Sequence, residues 1–439
     1  MPNPVKSLII SWRALALSLL LSVVAGISGF GELPDRLIAM ATSRVAYRDV
    51  SGDIVVVGID DRTLAESRDG EFTRHDHAKL IRAVDRADAK RLFIDFDYER
   101  PDNNGGLENV SAAVRNMGDR VVLAVPTRSV PGTDRLVTIF PDASFGDRAK
   151  RASIAWEYQF WQVWDVPLMY LADGKLLPSF AAIMANKSES APSQFRIDFS
   201  YRTNSIRQYS AIDVIDGTVG AKQLSGKEVI FAPTASRLED RHYLPGHDMV
   251  PGAYIHLIAA ETLRRGNPVN LGWLPPLGLA LILTLPLLLR RSNQWFSVFG
   301  LAASAVLIAS QLLLATQLVT VSSGAALFFL LAIGSNVSRA RRRDSAQREN
   351  PVSGLPNFEA LRSLPSFGSA TVVAAKVVNF EDLAAFIPGD GIGKLVEQVT
   401  RRLQLASQGT TLHHDLDGTF AWLVPYYQHS QIEGQLAGL

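Results

Sequence analysis

Four stretches of the chain, residues 14–30, 271–289, 295–314 and 318–337, are almost continuously apolar. Each meets the roughly 17–25 residues that a helix needs to cross a bilayer. The pattern therefore predicts one N-terminal span and three clustered ones. The first also has the basic start of a secretory signal, with Lys6 and Arg13 ahead of it. Its apolar part exceeds the roughly 7–15 residues of a signal core, and Gly26-Ile27-Ser28 is a poor cleavage motif, so an uncleaved anchor is expected.

The basic residues give these spans a direction. Arg290-Arg291 separates the second from the third, Arg339-Ala340-Arg341-Arg342-Arg343 follows the fourth, and the Thr316-Gln317 turn carries no cation. Lys and Arg are retained on the cytoplasmic side. That rule puts residues 1–13, the Arg290 turn and a basic linker at 338–349 inside, and residues 31–270 outside. A multi-pass protein of the bacterial inner (cytoplasmic) membrane is expected.

Residues 31–270 have a different rhythm. Residues 53–61, DIVVVGIDD, form an apolar run ended by acids, as in a strand buried on both faces. A helix follows at 75–87, with Leu80, Ile81 and Val84 at helical spacing. Next come a strand at 91–97, a helix at 107–117 and a strand at 120–125. A later strand lies at 228–232 and a helix at 254–264. Strands alternating with helices argue for parallel crossover units. The fold class expected is an α/β extracytoplasmic domain, α-helical membrane spans (one plus three), and a partial α/β domain at the cytoplasmic end.

Composition narrows the chemistry. At 439 residues, two or three domains fit. The 44 Lys+Arg balance 43 Asp+Glu, so no nucleic-acid partner is indicated. Cysteine is absent, which excludes disulfides, thiolate metal sites and cysteine nucleophiles. No metal and no cofactor are expected.

Six segments occur in order: IVVVGIDDRTL, RLFIDFDYERPD, GKLLPSFA, FRIDFSYRT, LSGKEVIFAPTASRLEDRHYLP and VPGAYIHLIAAETLRRG. Together residues 31–270 resemble the CHASE type-2 extracytoplasmic sensor domain of bacterial signalling proteins. The resemblance implies a sensor of an unidentified stimulus coupled to an output domain inside. One departure is the aromatic stretch Trp156, Tyr158, Phe160 and Trp164, where the family tends to carry basic residues. Its alternation suits core or interface packing.

Asp60, Asp61, Asp95 and Asp97 fall at the carboxyl ends of two predicted parallel strands, where open α/β sheets bind ligands. Two readings stand for them: a site for a hard cation or a polyol, or caps of turns and helix starts, where Asp is favoured. Asp240-Arg241 matches an Asp-Arg pair of the family and reads equally as an internal ion pair. His75 and His77, two residues apart, do not share a helix face and read as surface histidines.

Residues 350–357, NPVSGLPN, resemble the opening motif of GGDEF domains, the fold of diguanylate cyclases. A strand at 371–378, a helix at 393–405 and a hairpin at 413–425 follow in the order that resemblance implies for residues 350–439. The cyclase chemistry does not. Holding divalent metal on two nucleotides needs acids, and the family's first metal ligand falls on Lys376. Its guanine-binding Asn and Asp fall on Ala384 and Ala385. The signature turn corresponds to Leu416, Asp417, Gly418, Thr419 and Phe420. The domain also looks incomplete, with a last helix at 429–439 and no Glu-Ala-Leu phosphodiesterase motif. No catalytic residue is assigned. The expected function is transmembrane signalling from an extracytoplasmic stimulus to a non-catalytic GGDEF-like module of the cyclic-di-GMP type. The alternative is a truncated or divergent diguanylate cyclase or cyclic-di-GMP phosphodiesterase. Expected partners are the membrane, an unidentified extracytoplasmic ligand or protein, and a second copy of the chain.

Overall fold

The computed structural model describes residues 12–29, 32–45, 47–99, 105–129, 132, 136–159, 161–238, 240–288, 296–387, 391–407 and 410–425. The chain divides into two compact units. One comprises Leu19–Pro286 and Trp295–Leu330, the other Met1–Ser18, Leu287–Gln294 and Leu331–Leu439.

The larger unit is built on a six-stranded sheet of β1 (Ile54–Ile59), β2 (Arg91–Ile94), β3 (Val121–Val125), β4 (Lys150–Ser153), β5 (Gln208–Ser210) and β6 (Glu228–Pro233). Their spatial order is β5-β1-β6-β2-β3-β4, and every neighbouring pair is parallel. The unbroken apolar runs follow from this arrangement, because alternate residues enter different cores. Ile54 and Val56 join Phe93, Val122 and Ile230 on one face. Val55, Val57 and Ile59 join Ile94, Leu123 and Phe231 on the other. A strand covered on both faces has no solvent side on which polar residues could alternate.

One face carries the crossover helices Arg74–Arg86, Gly106–Met117 and Ala211–Ile215. Helix Arg74–Arg86 starts at a capping box, with Thr73 and Asp76 bonding each other's backbone amides. The other face is covered by helices Phe180–Met184 and Gly252–Arg265 and by a second sheet around the long strand Gln162–Ala172. At the amino ends of the strands, Glu228 is 1% exposed. It accepts two bonds from Arg91, at 2.6 and 2.9 Å, with Lys90 at 3.1 Å.

The smaller unit holds an antiparallel sheet of Ala370–Lys376, Thr419–Pro425 and His413–His414. Helices Phe380–Phe386 and Gly391–Ala406 accompany it, and Phe420 and Trp422 are fully buried in its core. The first strand, the helix Gly391–Ala406 and the hairpin fall within two residues of the sequence expectation, helix Phe380–Phe386 is not among the expected elements, and the expected helix at 429–439 lies outside the described residues. Residues 350–357 form a folded turn on this sheet: the Pro356 carbonyl accepts from the His414 amide at 2.8 Å, and Asn350 Nδ2 donates to the His414 carbonyl.

The expected membrane spans are corrected. Among the described residues no helix is long and apolar enough to cross a membrane. Trp12–Ile27 has 16 residues and Leu274–Leu288 has 15, against about 20 for a bilayer core. Phe296–Thr316 carries Ser304, Ser310 and Gln311 within it. Gly324–Arg348 runs on through the expected linker at 338–349, so its last turns are basic rather than apolar. The architecture described is mixed α/β. The sidedness argued from the arginines loses the spans on which it rested.

Candidate functional site

The carboxyl ends of β1, β2 and β6 open into a crevice of about 570 Å³. Its floor consists of rings. His77, on helix Arg74–Arg86, packs its imidazole 4.6 Å from Phe96, 5.5 Å from Phe72 and 4.9 Å from Phe231. Its Nδ1 is hydrogen-bonded to the Tyr98 hydroxyl at 2.6 Å. Burial lowers the His77 pKa to about 3, with the Arg74 charge acting in the same direction, so the ring is neutral. Burial also raises the Tyr98 pKa. The rim is charged. The Arg74 guanidinium lies 5.9 Å from the Tyr98 ring centroid, and exposed Arg237 donates to the Gly70 carbonyl at 2.6 Å.

His77 is thus corrected from a surface residue to a buried one, while His75 is exposed and bonds Asn109. The spacing carried the signal. Residues 77, 80, 81 and 84 follow the i, i+3, i+4, i+7 rule that marks one helix face, and all four are buried.

The structure divides the acids singled out in the sequence. Asp60 caps helix Asp61–Glu66, accepting from the Thr63 amide at 2.8 Å, and takes the Ser210 hydroxyl at 2.5 Å. Asp61 holds Ser236 through its amide and hydroxyl, at 3.1 and 2.9 Å. Asp97 accepts from Arg128 at 2.9 Å and from the Glu99 amide. For these three the capping and loop-tethering reading accounts for the bonds seen.

Asp95 and Asp240 are brought together instead. Asp95 follows β2 on the face opposite the crevice and is 9% exposed; among the described residues no hydrogen-bond donor reaches its carboxyl. Burial raises its pKa, and the neighbouring Asp240 carboxylate raises it further. Asp240 pairs with His242 at 2.8 Å, and His242 Nδ1 is bonded to the Tyr158 hydroxyl at 2.5 Å. The expected Asp240–Arg241 ion pair is corrected: Arg241 donates to the Met249 carbonyl at 2.7 Å. Alternation along strand Arg241–Tyr243 puts 240 and 242 on one side, and 241 on the other. His256 completes the cluster from helix Gly252–Arg265. It is fully buried, its pKa is lowered to about 4 by burial, and neither ring nitrogen has a partner among the described residues. Trp156 packs on both His242 and His256, at 4.8 and 5.1 Å. Of the other aromatics in that stretch, Trp164 is buried, Tyr158 is exposed, and Phe160 lies outside the described residues. Among the described residues no group of His, Asp and Glu has the arrangement of a metal site.

At the opposite end of this unit lies a second cavity, of about 300 Å³. Here Asp35, on helix Glu32–Val45, accepts from the Ser323 amide at 2.7 Å, from Gln311 at 3.2 Å and from the Ser322 hydroxyl. The short strands Val269–Asn270 and Val319–Thr320 pair in parallel, and Arg265 bonds both Asp198 and the Thr316 carbonyl. Neighbouring Arg36 donates to Gln159 at 3.3 Å and lies over the Trp164 ring. The sensor-like core is therefore hydrogen-bonded to the segments that follow it in the chain.

In the smaller unit, Lys376 Nζ lies 3.1 Å from the Asp417 carboxylate, whose pKa is lowered first by the bond with Thr419 and then by Lys376. Leu416 is exposed, and Gly418 has φ +77°. Phe420 is buried with its ring stacked 4.2 Å from His414.

Comparison with curated proteins gives no match, and neither does comparison with solved structures. Residues 15–290 match the CHASE2 domain. That span is more than half of the chain and contains the whole parallel sheet, the ring-floored crevice and the Asp95–Asp240 pair. The chain thus belongs to the CHASE2 domain family, whose domain is an extracytoplasmic sensor.

Proposed function

We propose that this chain is a signal-transduction protein of the cytoplasmic membrane. In this reading its CHASE2 unit receives an extracytoplasmic small molecule, and its smaller unit is a non-catalytic, GGDEF-like receiver. The observation that carries the reading is the crevice at the carboxyl ends of β1, β2 and β6. It lies where open α/β sheets bind ligands and has the volume of a small-molecule site, roughly 300–1,000 Å³. The bonds joining Asp35 and Arg265 to residues 311–323 support a route by which a change in the core reaches the rest of the chain. The Lys376–Asp417 pair supports the non-catalytic part. An ammonium at that position competes with a divalent ion for the Asp417 carboxylate.

Two measurements test this. A periplasm-active reporter inserted at Gly132, an exposed turn, should be active; activity only in the cytosol refutes the sensor's placement. The full chain given GTP with Mg²⁺ or Mn²⁺ should release no cyclic dinucleotide. Release would favour the divergent-cyclase reading instead.

A further inference from the structure

Trp161 fills a position that the fold gives no reason to fill with an indole. Strands Glu157–Gln159 and Gln162–Ala172 run antiparallel with Gln159 opposite Gln162, so two residues join them and Trp161 is the second. Its φ is +60° and it is 82% exposed. Two-residue hairpin turns favour Gly, Asn and Asp, which tolerate positive φ, and a bulky residue there is an outlier. The choice eases neither the backbone nor the hydration of the ring. Residues 158–164 also carry no charged side chain, and the nearest acids on the two strands, Glu157 and Asp165, each stand four residues from Trp161.

The position of the turn says what meets it. Gln159 accepts from Arg36 at 3.3 Å. Arg36 follows Asp35 on helix Glu32–Val45, a rise of about 1.5 Å, and Asp35 is bonded to Gln311, Ser322 and Ser323. The turn therefore lies near the level at which helix Phe296–Thr316 ends and helix Gly324–Arg348 begins. Large apolar side chains from separate segments are exposed near the same level. Leu37 is two residues from Asp35, Leu313 is two residues from Gln311, and the Leu271 amide is bonded to the Thr320 carbonyl. Helix Phe296–Thr316 goes on to expose Leu301 and Val306 toward its start. Apolar groups contributed by several segments at one level fit a planar boundary better than the single patch that a protein partner covers. Trp is the residue that gathers at membrane–water boundaries, with its amphipathic ring among the headgroups.

We propose that Trp161 docks on a lipid bilayer with its indole at headgroup depth, holding this hairpin at the membrane surface. This rests on the reading of the chain as a protein of the cytoplasmic membrane and adds where the larger unit meets the lipid.

The chain has no cysteine, so single cysteines can carry the environment-sensitive fluorophore NBD. The full chain is reconstituted in vesicles of phosphatidylcholine and phosphatidylglycerol that bear a nitroxide on the headgroup. Label at Gln162→Cys, beside the turn, should be quenched several-fold more strongly than label at Glu71→Cys, on the rim of the crevice at the other end of the unit. Adding Trp161→Gly should lower quenching at 162 to that of the Glu71 site. Glycine accepts a positive φ, so the turn survives the loss of the ring. Label at Ile282→Cys, exposed on helix Leu274–Leu288, reports the membrane reading itself, through a nitroxide on the acyl chain. Quenching at 282 with equal quenching at 162 and 71 overturns the docking and leaves the membrane reading standing. No quenching at 282 overturns both. Quenching at 162 that survives Trp161→Gly overturns Trp161 as the anchor. A label at 162 shielded from both nitroxides and from aqueous iodide overturns the lipid in favour of a protein partner.

Discussion

The neutral imidazole at the base of the crevice makes a quantitative claim about pH. His77 has a pKa lowered to about 3 from an ordinary 6.5, chiefly by burial. Between those values the unfolded chain binds a proton that the folded chain refuses. Its contribution to stability is therefore complete above about pH 6.5 and is lost as pH falls toward 3. At pH 5 the chain is about 1.5 pH units below the ordinary value, and 1.36 kcal/mol per unit gives about 2 kcal/mol. Replacing His77 with glutamine keeps a partner for the Tyr98 hydroxyl and removes the titration. At pH 7.5 the variant should be less stable by about 1–2 kcal/mol, the usual loss for a buried hydrogen-bonded group. Lowering the pH to 5 should then shrink the wild-type advantage by about 2 kcal/mol. The difference between the proteins isolates His77, because His256 and Asp95 titrate in both. Hydrogen exchange of the amides in β1 and β6, followed through urea titrations at pH 7.5, 6 and 5, reads this unit alone. An advantage that stays constant within about 0.5 kcal/mol across that range would refute the neutral, buried His77.

Three further outcomes follow from the same physics. Asp95 has its pKa raised by burial and then by Asp240, so its ionisation destabilises the fold increasingly as pH rises above the ordinary carboxyl range. Asp95→Asn should stabilise the unit by more than about 1 kcal/mol at pH 8, with the gain fading toward pH 4; a gain that grows on acidification contradicts the sign. Glu228→Gln leaves Arg91 without its fully buried carboxylate partner and should cost about 3–5 kcal/mol in urea unfolding, whereas a cost below about 1 kcal/mol would show the pair to be solvated. Gly418→Ala places a methyl group against the Phe380 ring at a backbone φ of +77°. It should lower the thermal midpoint of the smaller unit, at a cost of at least about 1 kcal/mol, and an unchanged midpoint would mean that the hairpin turn relaxes freely.

The sequence by itself determined the local elements and the class of the larger unit. Apolar runs ended by acids marked β1 and β2 to within two or three residues, because a strand buried on both faces cannot alternate. The spacing of Leu80, Ile81 and Val84 set the helix between them. Six ordered motifs were enough to identify the sensor family. The sequence also marked six candidate positions, yet it could not say which of them meet. That depends on contacts across roughly 150 residues, such as Asp95 beside Asp240. Only the folded sheet showed that Asp60, Asp61 and Asp97 are bound to neighbours while Asp95 has no donor among the described residues. The rings and arginines of the crevice come from three separate segments, and periodicity within any one of them shows only which side faces inward. Hydropathy also overstated the four apolar stretches, since it counts residues without asking where a helix stops. Tertiary structure decided these points because burial and electrostatic pairing are properties of neighbours in space, whereas strand and helix propensity is written between neighbours in sequence.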